Sequence, residues 1–138
     1  MYLYSIRKFA LLTDTLTGRE LVEKAFVYLT TLTKECRKAL TAQFEHEHKG
    51  ISFDSIETIM RRDIESWFAR RDKSIAISHE ESLNGRPGEI LMIYSGVTKG
   101  AHFKIHVESR FTLAGSSSNA PSYLKNLNLY VDKRDFMK

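Results

Sequence analysis

The apolar positions in the first half of the chain repeat at steps of three and four residues, which is typical of amphipathic helices. A first helix is predicted over 18–49. Thr17 and Glu20 form a capping box at its start, and Gly50 suits the position that follows a helix end. Its apolar stripe consists of Val22, Ala25, Phe26, Leu29, Leu32, Cys36, Ala39, Leu40 and Phe44.

A second amphipathic helix is predicted after the first, with Asp54 as its N-cap and Glu57 three residues later. From Lys73 onward the apolar repeat changes to two, which favours strands. The spacing predicts a tight turn at Lys99 and Gly100, and strands over 74–81, 89–97, 101–113 and 123–132.

These elements predict a single α+β domain over residues 1–138. Two N-terminal helices, the first of them long, pack on one face of a four-stranded antiparallel meander sheet. An extra N-terminal strand over 1–12 is an option, because Tyr2, Tyr4 and Ile6 alternate there, although the same segment also fits a helical period.

Composition supports one globular domain and restricts the function classes. The chain has 138 residues, of which 42% are apolar, and Cys36 is its single cysteine, so an internal disulfide is excluded. The longest apolar run, Ile90–Tyr94, is far shorter than a membrane span needs. We therefore expect a cytoplasmic protein without a membrane partner.

The first helix is too long for a compact body of this size. Its 32 predicted residues would extend about 48 Å, whereas a chain of this length has a radius of gyration of about 14 Å. The helix either bends near residues 30–33, where β-branched threonines lower helix propensity, or extends past the sheet at one end. In the second case its apolar stripe needs a cover, which either a partner chain or the second helix could supply. The partner option predicts an interface at Cys36, Ala39, Leu40 and Phe44.

Alternation in the strand 101–113 places several polar side chains on one surface. The candidate binding residues are His102, Lys104, His106 and Arg110, joined by Asn128 and Tyr130 from the next strand. A two-residue turn at Lys99 and Gly100 would bring the apolar Leu91, Ile93 and Val97 to the same side. Such a surface is a solvated sheet face, a protein interface or a cavity wall.

The histidines do not predict a metal site. His46 and His48 lie about 200° apart around a helix, and His102 and His106 are about 13 Å apart along a strand. Linear motifs for phosphate loops, nucleophile elbows, zinc and calcium are absent from the sequence. We therefore assign no metal, no cofactor and no catalytic residue.

Three functions remain open. The first is a small non-enzymatic binding or regulatory protein whose partner is another protein or a second copy of itself. The second is a nucleic-acid-binding accessory protein, since Lys and Arg outnumber Asp and Glu by 21 to 17, with Arg70, Arg71, Lys73, Lys104 and Arg110 as phosphate contacts. The third is a small hydrolase in which His102 or His106 acts as a base oriented by Glu108.

Overall fold

Two helices precede four strands in the computed structural model, which describes residues 18–46, 51–83, 85–98, 100–113 and 122–137. The predicted N-terminal strand, the Thr17 cap and Gly50 lie outside these ranges. The elements are α1 (Gly18–His46), α2 (Phe53–Arg71), β1 (Ile75–Leu83), β2 (Glu89–Thr98), β3 (Ala101–Leu113), β4 (Ser122–Val131) and a C-terminal 3₁₀ helix (Lys133–Met137).

The four strands form an antiparallel meander in the order β1-β2-β3-β4, which confirms the predicted α+β arrangement. Thr98 pairs with Ala101, so the turn between β2 and β3 contains two residues, as predicted. Gly100 in this turn has φ 88°, a left-handed conformation that favours glycine. One bulge shifts the β1–β2 register near His79, and another shifts the β3–β4 register after Arg110.

The start of α2 differs from the predicted cap at Asp54. Phe53 is already helical, and Ser52 occupies the N-cap position with an extended backbone and no side-chain cap hydrogen bond. Phe53 packs against the core ring of Phe111 at 6.0 Å between centroids. We attribute the earlier helix start to the burial of this aromatic ring, which outweighs the preference for an aspartate cap.

Helix α1 lies along β4 and runs antiparallel to it. Near its start, the ring of Phe26 meets Phe136 of the 3₁₀ helix that follows β4. Near its end, the ring of Phe44 meets Phe111, which lies opposite Leu124 close to the start of β4. The long helix therefore has a strand of the same chain beside it over most of its length.

Helix α2 folds back along α1, as three contacts of α1 with α2 and its C-cap residue Asp72 show. The Tyr28 hydroxyl donates to the Asp72 carboxylate, and Arg71 Nη2 lies 3.2 Å from Glu35 Oε2. Gln43 Nε2 donates to an Asp63 oxygen at 2.6 Å. As the residue numbers increase along α1, the numbers of the contacting residues decrease from Asp72 to Asp63, so the two helices are antiparallel.

The apolar stripe of α1 is covered from within the chain. Its members Leu29, Leu32, Cys36, Leu40 and Phe44 are at most 3% exposed and belong to one core with α2 and the sheet. Burying each large side chain contributes roughly 1.5–3 kcal/mol. The apolar stripe is therefore covered by the second helix and the sheet of the same chain rather than by a partner chain. Of the predicted interface residues, Cys36, Leu40 and Phe44 are buried in this core, whereas Ala39 is exposed.

Neither helix in the described ranges combines the length and the apolar character that crossing a membrane requires.

Candidate functional site

The side of the sheet opposite the two helices carries the candidate residues, and we call it the outer face. Alternation along each strand sends Ile90, Met92 and Tyr94 to the core and their neighbours outward. The outer face comprises Glu89, Leu91, Ile93, Ser95 and Val97 of β2; His102, Lys104, His106, Glu108 and Arg110 of β3; and Asn126, Asn128 and Tyr130 of β4.

The register places an apolar row beside the polar row. Leu91 lies opposite Glu108, Ile93 opposite His106, and Val97 opposite His102. These three apolar side chains therefore share a side with the histidines, as the two-residue turn predicted. Val97 is 39% exposed, whereas Leu91 and Ile93 are half-buried, so Val97 is the most accessible residue of the row.

The tightest cluster of the outer face surrounds His106. Its ring stacks on Tyr130, its neighbour across the strand, with centroids 4.9 Å apart and planes 10° from parallel. Its Nε2 lies 2.9 Å from Asp135 Oδ2 of the C-terminal 3₁₀ helix. The Tyr130 hydroxyl donates to Glu108 Oε2 at 3.4 Å. Burial, and then the negative charge of Glu108, raise the pKa of the Tyr130 phenol, so it stays a neutral donor.

The cations of the outer face stand beside carboxylates. Lys104 Nζ lies 3.4 Å from Glu80 Oε2, and Arg110 Nε lies 3.8 Å from Glu89 Oε2. Because these pairs are partly exposed, each contributes at most about 1 kcal/mol to stability. Their larger effect is on recognition, because the outer face presents charges of both signs instead of a uniformly positive surface.

The structure brings the six predicted binding residues onto one face but not into one pocket. From His102 to Arg110 the strand advances about 26 Å. His106 and Tyr130 stack on each other, while Asn128 lies opposite Glu108. The arrangement is therefore an extended surface suited to a large partner.

Sequence reasoning missed three carboxylates of this surface. The pairing of Glu89 with Arg110 follows from the two-residue turn, because residues on β2 and β3 that face each other then have numbers with a constant sum. Glu80 could not be assigned in this way, because the bulge near His79 shifts the register of β1. Asp135 belongs to a 3₁₀ helix that the apolar pattern did not indicate.

The structure gives His106 a different carboxylate partner from the one that the hydrolase hypothesis predicted. Glu108, predicted to orient the histidine, accepts the Tyr130 hydroxyl, and the ring of His106 contacts Asp135 instead. In the described ranges no hydroxyl or thiol hydrogen-bonds to His106 as a nucleophile would. Burial raises the pKa of the Cys36 thiol to about 12, which keeps it protonated and unreactive at neutral pH.

The structure shows no metal-binding group among the residues it describes, since no three His, Cys, Asp or Glu side chains converge there. The basic residues proposed as phosphate contacts also fall into two layers. Arg71, at the end of α2, pairs with Glu35 of α1, whereas Lys104 and Arg110 lie on the outer face of the sheet. They therefore do not form one continuous basic surface.

Comparisons with protein-family models, with curated proteins and with solved structures found no match to this chain.

Proposed function

We propose that this protein is a non-enzymatic binding protein that recognises another protein through the outer face of its sheet. The observation that carries the proposal is the apolar row Leu91, Ile93 and Val97, which runs beside a row of charged and aromatic side chains. Protein interfaces commonly combine an apolar centre with a polar rim and are enriched in aromatic residues. The stacked rings of His106 and Tyr130 add a flat aromatic contact beside the apolar row.

The charge arrangement favours a protein partner over a nucleic acid. A phosphate backbone would meet Glu80, Glu89 and Glu108 as well as the cations beside them. Those carboxylates would repel it, whereas a protein can present complementary charges of both signs. The face therefore suits a partner surface with mixed charges around an apolar patch.

A regulatory role, a cytoplasmic location and self-association remain predictions from the sequence. The apolar stripe of α1 no longer supports self-association, because the same chain covers it. A second copy of the protein would have to bind through another surface.

The test is affinity purification from the native host, followed by mass spectrometry, with three matched baits. They are the natural protein, a Val97→Arg variant of the outer face, and an Ala39→Arg variant of the exposed side of α1. Both substitutions add one arginine at an exposed position, so each variant should fold. We expect a protein partner that the natural protein and Ala39→Arg retain and that Val97→Arg loses.

Two results would contradict the proposal. A partner that both variants retain equally would exclude the outer face as its binding surface. Loss of the captured material after nuclease treatment, or a steep loss of binding with salt, would favour the nucleic-acid hypothesis instead. Circular dichroism of both variants provides the folding control.

A further inference from the structure

A groove of about 250 Å³ runs between α1 and β4, at the edge of the sheet. Its strand wall consists of the consecutive residues Asn128, Leu129, Tyr130 and Val131. Side chains of consecutive strand residues point to opposite faces, so four in a row can line one groove only where it follows the edge of the strand. The wall is therefore the backbone edge of β4. Alternate residues there direct N–H and C=O groups away from β3.

Between Asn126 and Val131 this edge has neither a bulge nor a charged side chain. Within the described residues β4 pairs with β3 alone, and it ends the sheet. The one shift in its register falls at Lys125, which is also its only charged residue, and the pairing is regular from there to Val131. The opposite edge, β1, has both a bulge near His79 and the acidic pair Glu80 and Glu81. Proteins normally protect exposed edges with such devices, so within the described residues the stretch from Asn126 to Val131 is open to pairing on the side of the groove.

The helix wall of the groove combines apolar contact with positive charge. Phe26 supplies an aromatic surface, and Lys34 and Arg37 are exposed. Within the described residues neither cation forms a salt bridge. Val27 is 61% exposed and lies two helical turns before Lys34, on the same side of α1. An occupant of this groove would therefore meet apolar contacts and two unpaired cations.

We propose that an extended, acidic segment of a partner protein binds in this groove by adding a strand to the free edge of β4. Main-chain hydrogen bonds to β4 hold the segment, and its alternate side chains face α1. Acidic side chains on that side pair with Lys34 and Arg37, while apolar ones contact Phe26 and Val27. The groove shares Asn128 and Tyr130 with the outer face, but the apolar row of the proposed interface lies on β2, beyond β3. Substitutions at Val97 and at Lys34 therefore test the two proposals separately.

Charge distinguishes this occupant from a second copy of the chain. Two copies that paired through their β4 edges would each bring Lys34 and Arg37 toward the same junction, and these like charges would repel. The β4 sequence also offers no carboxylate to pair with them. An acidic segment removes both difficulties.

The test uses two capped hexapeptides, one alternating valine with glutamate and its twin alternating valine with lysine. Binding to the full chain is measured by fluorescence anisotropy and by amide shifts in nitrogen-15 NMR spectra. We expect the acidic peptide to bind about tenfold more tightly than its twin, as two partly exposed ion pairs would give. The largest amide shifts should fall in 126–131 and around Lys34.

Charge reversal on α1 supplies the matched variants. Lys34→Glu and Arg37→Glu should each weaken the acidic peptide about threefold, since each removes one exposed ion pair. Lys24→Glu makes the same change at an exposed position of α1 outside the groove and should leave binding unchanged. All three substitutions affect exposed helix positions and are compatible with folding.

Three results would overturn the proposal. The first is equal binding of the two peptides, or no binding of either. The second is a map of amide shifts that avoids β4. The third is a concentration-dependent shift of the β4 amides without any peptide, which would assign this edge to a second copy of the chain.

Discussion

Gly96 provides a quantitative test of how closely the inner side of the sheet is packed. It faces the core from β2 and lies directly opposite Phe103 on β3. A Cβ atom at this position would lie 2.3 Å from Cζ of the Phe103 ring and 2.9 Å from Cγ2 of Ile77. The ring cannot move away easily, because Phe103 is 2% exposed and stacks on Phe136 with centroids 6.2 Å apart. Gly96→Ala should therefore overpack the core.

The expected cost follows from two opposing effects. Inserting a methyl group into a well-packed core destabilises by about 1–3 kcal/mol. Replacing glycine by alanine also lowers the conformational entropy of the unfolded chain, which stabilises the folded state by about 0.4–1 kcal/mol. We expect Gly96→Ala to lower the free energy of unfolding by about 1–2 kcal/mol, measured by urea denaturation followed by circular dichroism. The melting temperature should fall by about 3–5 °C for each kcal/mol.

Two controls isolate the contact with the ring. Gly18→Ala places its methyl group in open space at the start of α1 and should leave stability unchanged or slightly higher. In a Phe103→Leu background, Gly96→Ala should cost at least about 0.5 kcal/mol less than in the natural protein, because the clashing ring is gone. If Gly96→Ala were neutral in the natural protein, the close cover of Gly96 by Phe103 would be refuted.

Three further predictions concern buried and titrating groups. Thr98 is 4% exposed, and its hydroxyl has no hydrogen-bond partner within the described residues. Thr98→Val should therefore raise the free energy of unfolding, measured by urea titration, by about 1 kcal/mol. A loss of stability would indicate that the hydroxyl is hydrogen-bonded. Burial raises the pKa of Cys36 from 9.0 to about 12, so the folded state holds this proton more tightly than the unfolded state does. Stability should therefore be intact below pH 9 and fall as the pH rises toward 12, and Cys36→Ala should flatten that slope; an unchanged slope would contradict the assignment. Hydrogen bonds from Arg134 lower the pKa of Asp132 from 3.8 to about 2. The stability that this carboxylate contributes should therefore be present above pH 3.8 and be lost as the pH falls toward 2. Equal loss of stability on acid titration of the natural protein and of Asp132→Asn would contradict this prediction.

Much of the outer face could be predicted from one turn. A two-residue turn at Lys99 and Gly100 determines which residues of β2 and β3 face each other, because each step away from the turn pairs the next residue on either side. Alternation then assigns every side chain to one face. Ile93 and His106 are therefore predictable neighbours although twelve residues separate them.

The contacts of His106 beyond its own strand pair were not predictable in the same way. Its stacking on Tyr130 depends on the register of β4, which the bulge after Arg110 shifts for the residues beyond it. Its contact with Asp135 depends on how the chain turns after β4 into a 3₁₀ helix. Neither is visible in an apolar pattern, because one depends on a local backbone irregularity and the other on a short polar segment.

The long helix is accommodated because the sheet is equally long. The 29 residues of α1 extend about 44 Å at 1.5 Å each, and the 13 residues of β3 extend about 43 Å at 3.3 Å each. The radius of gyration expected from chain length applies to a roughly spherical body and therefore understates the longest dimension of a helix packed along a long sheet. The apolar stripe of α1 therefore needs no second chain, and partners are to be sought where the described residues leave apolar groups or backbone edges uncovered: on the outer face at Val97 and along the free edge of β4.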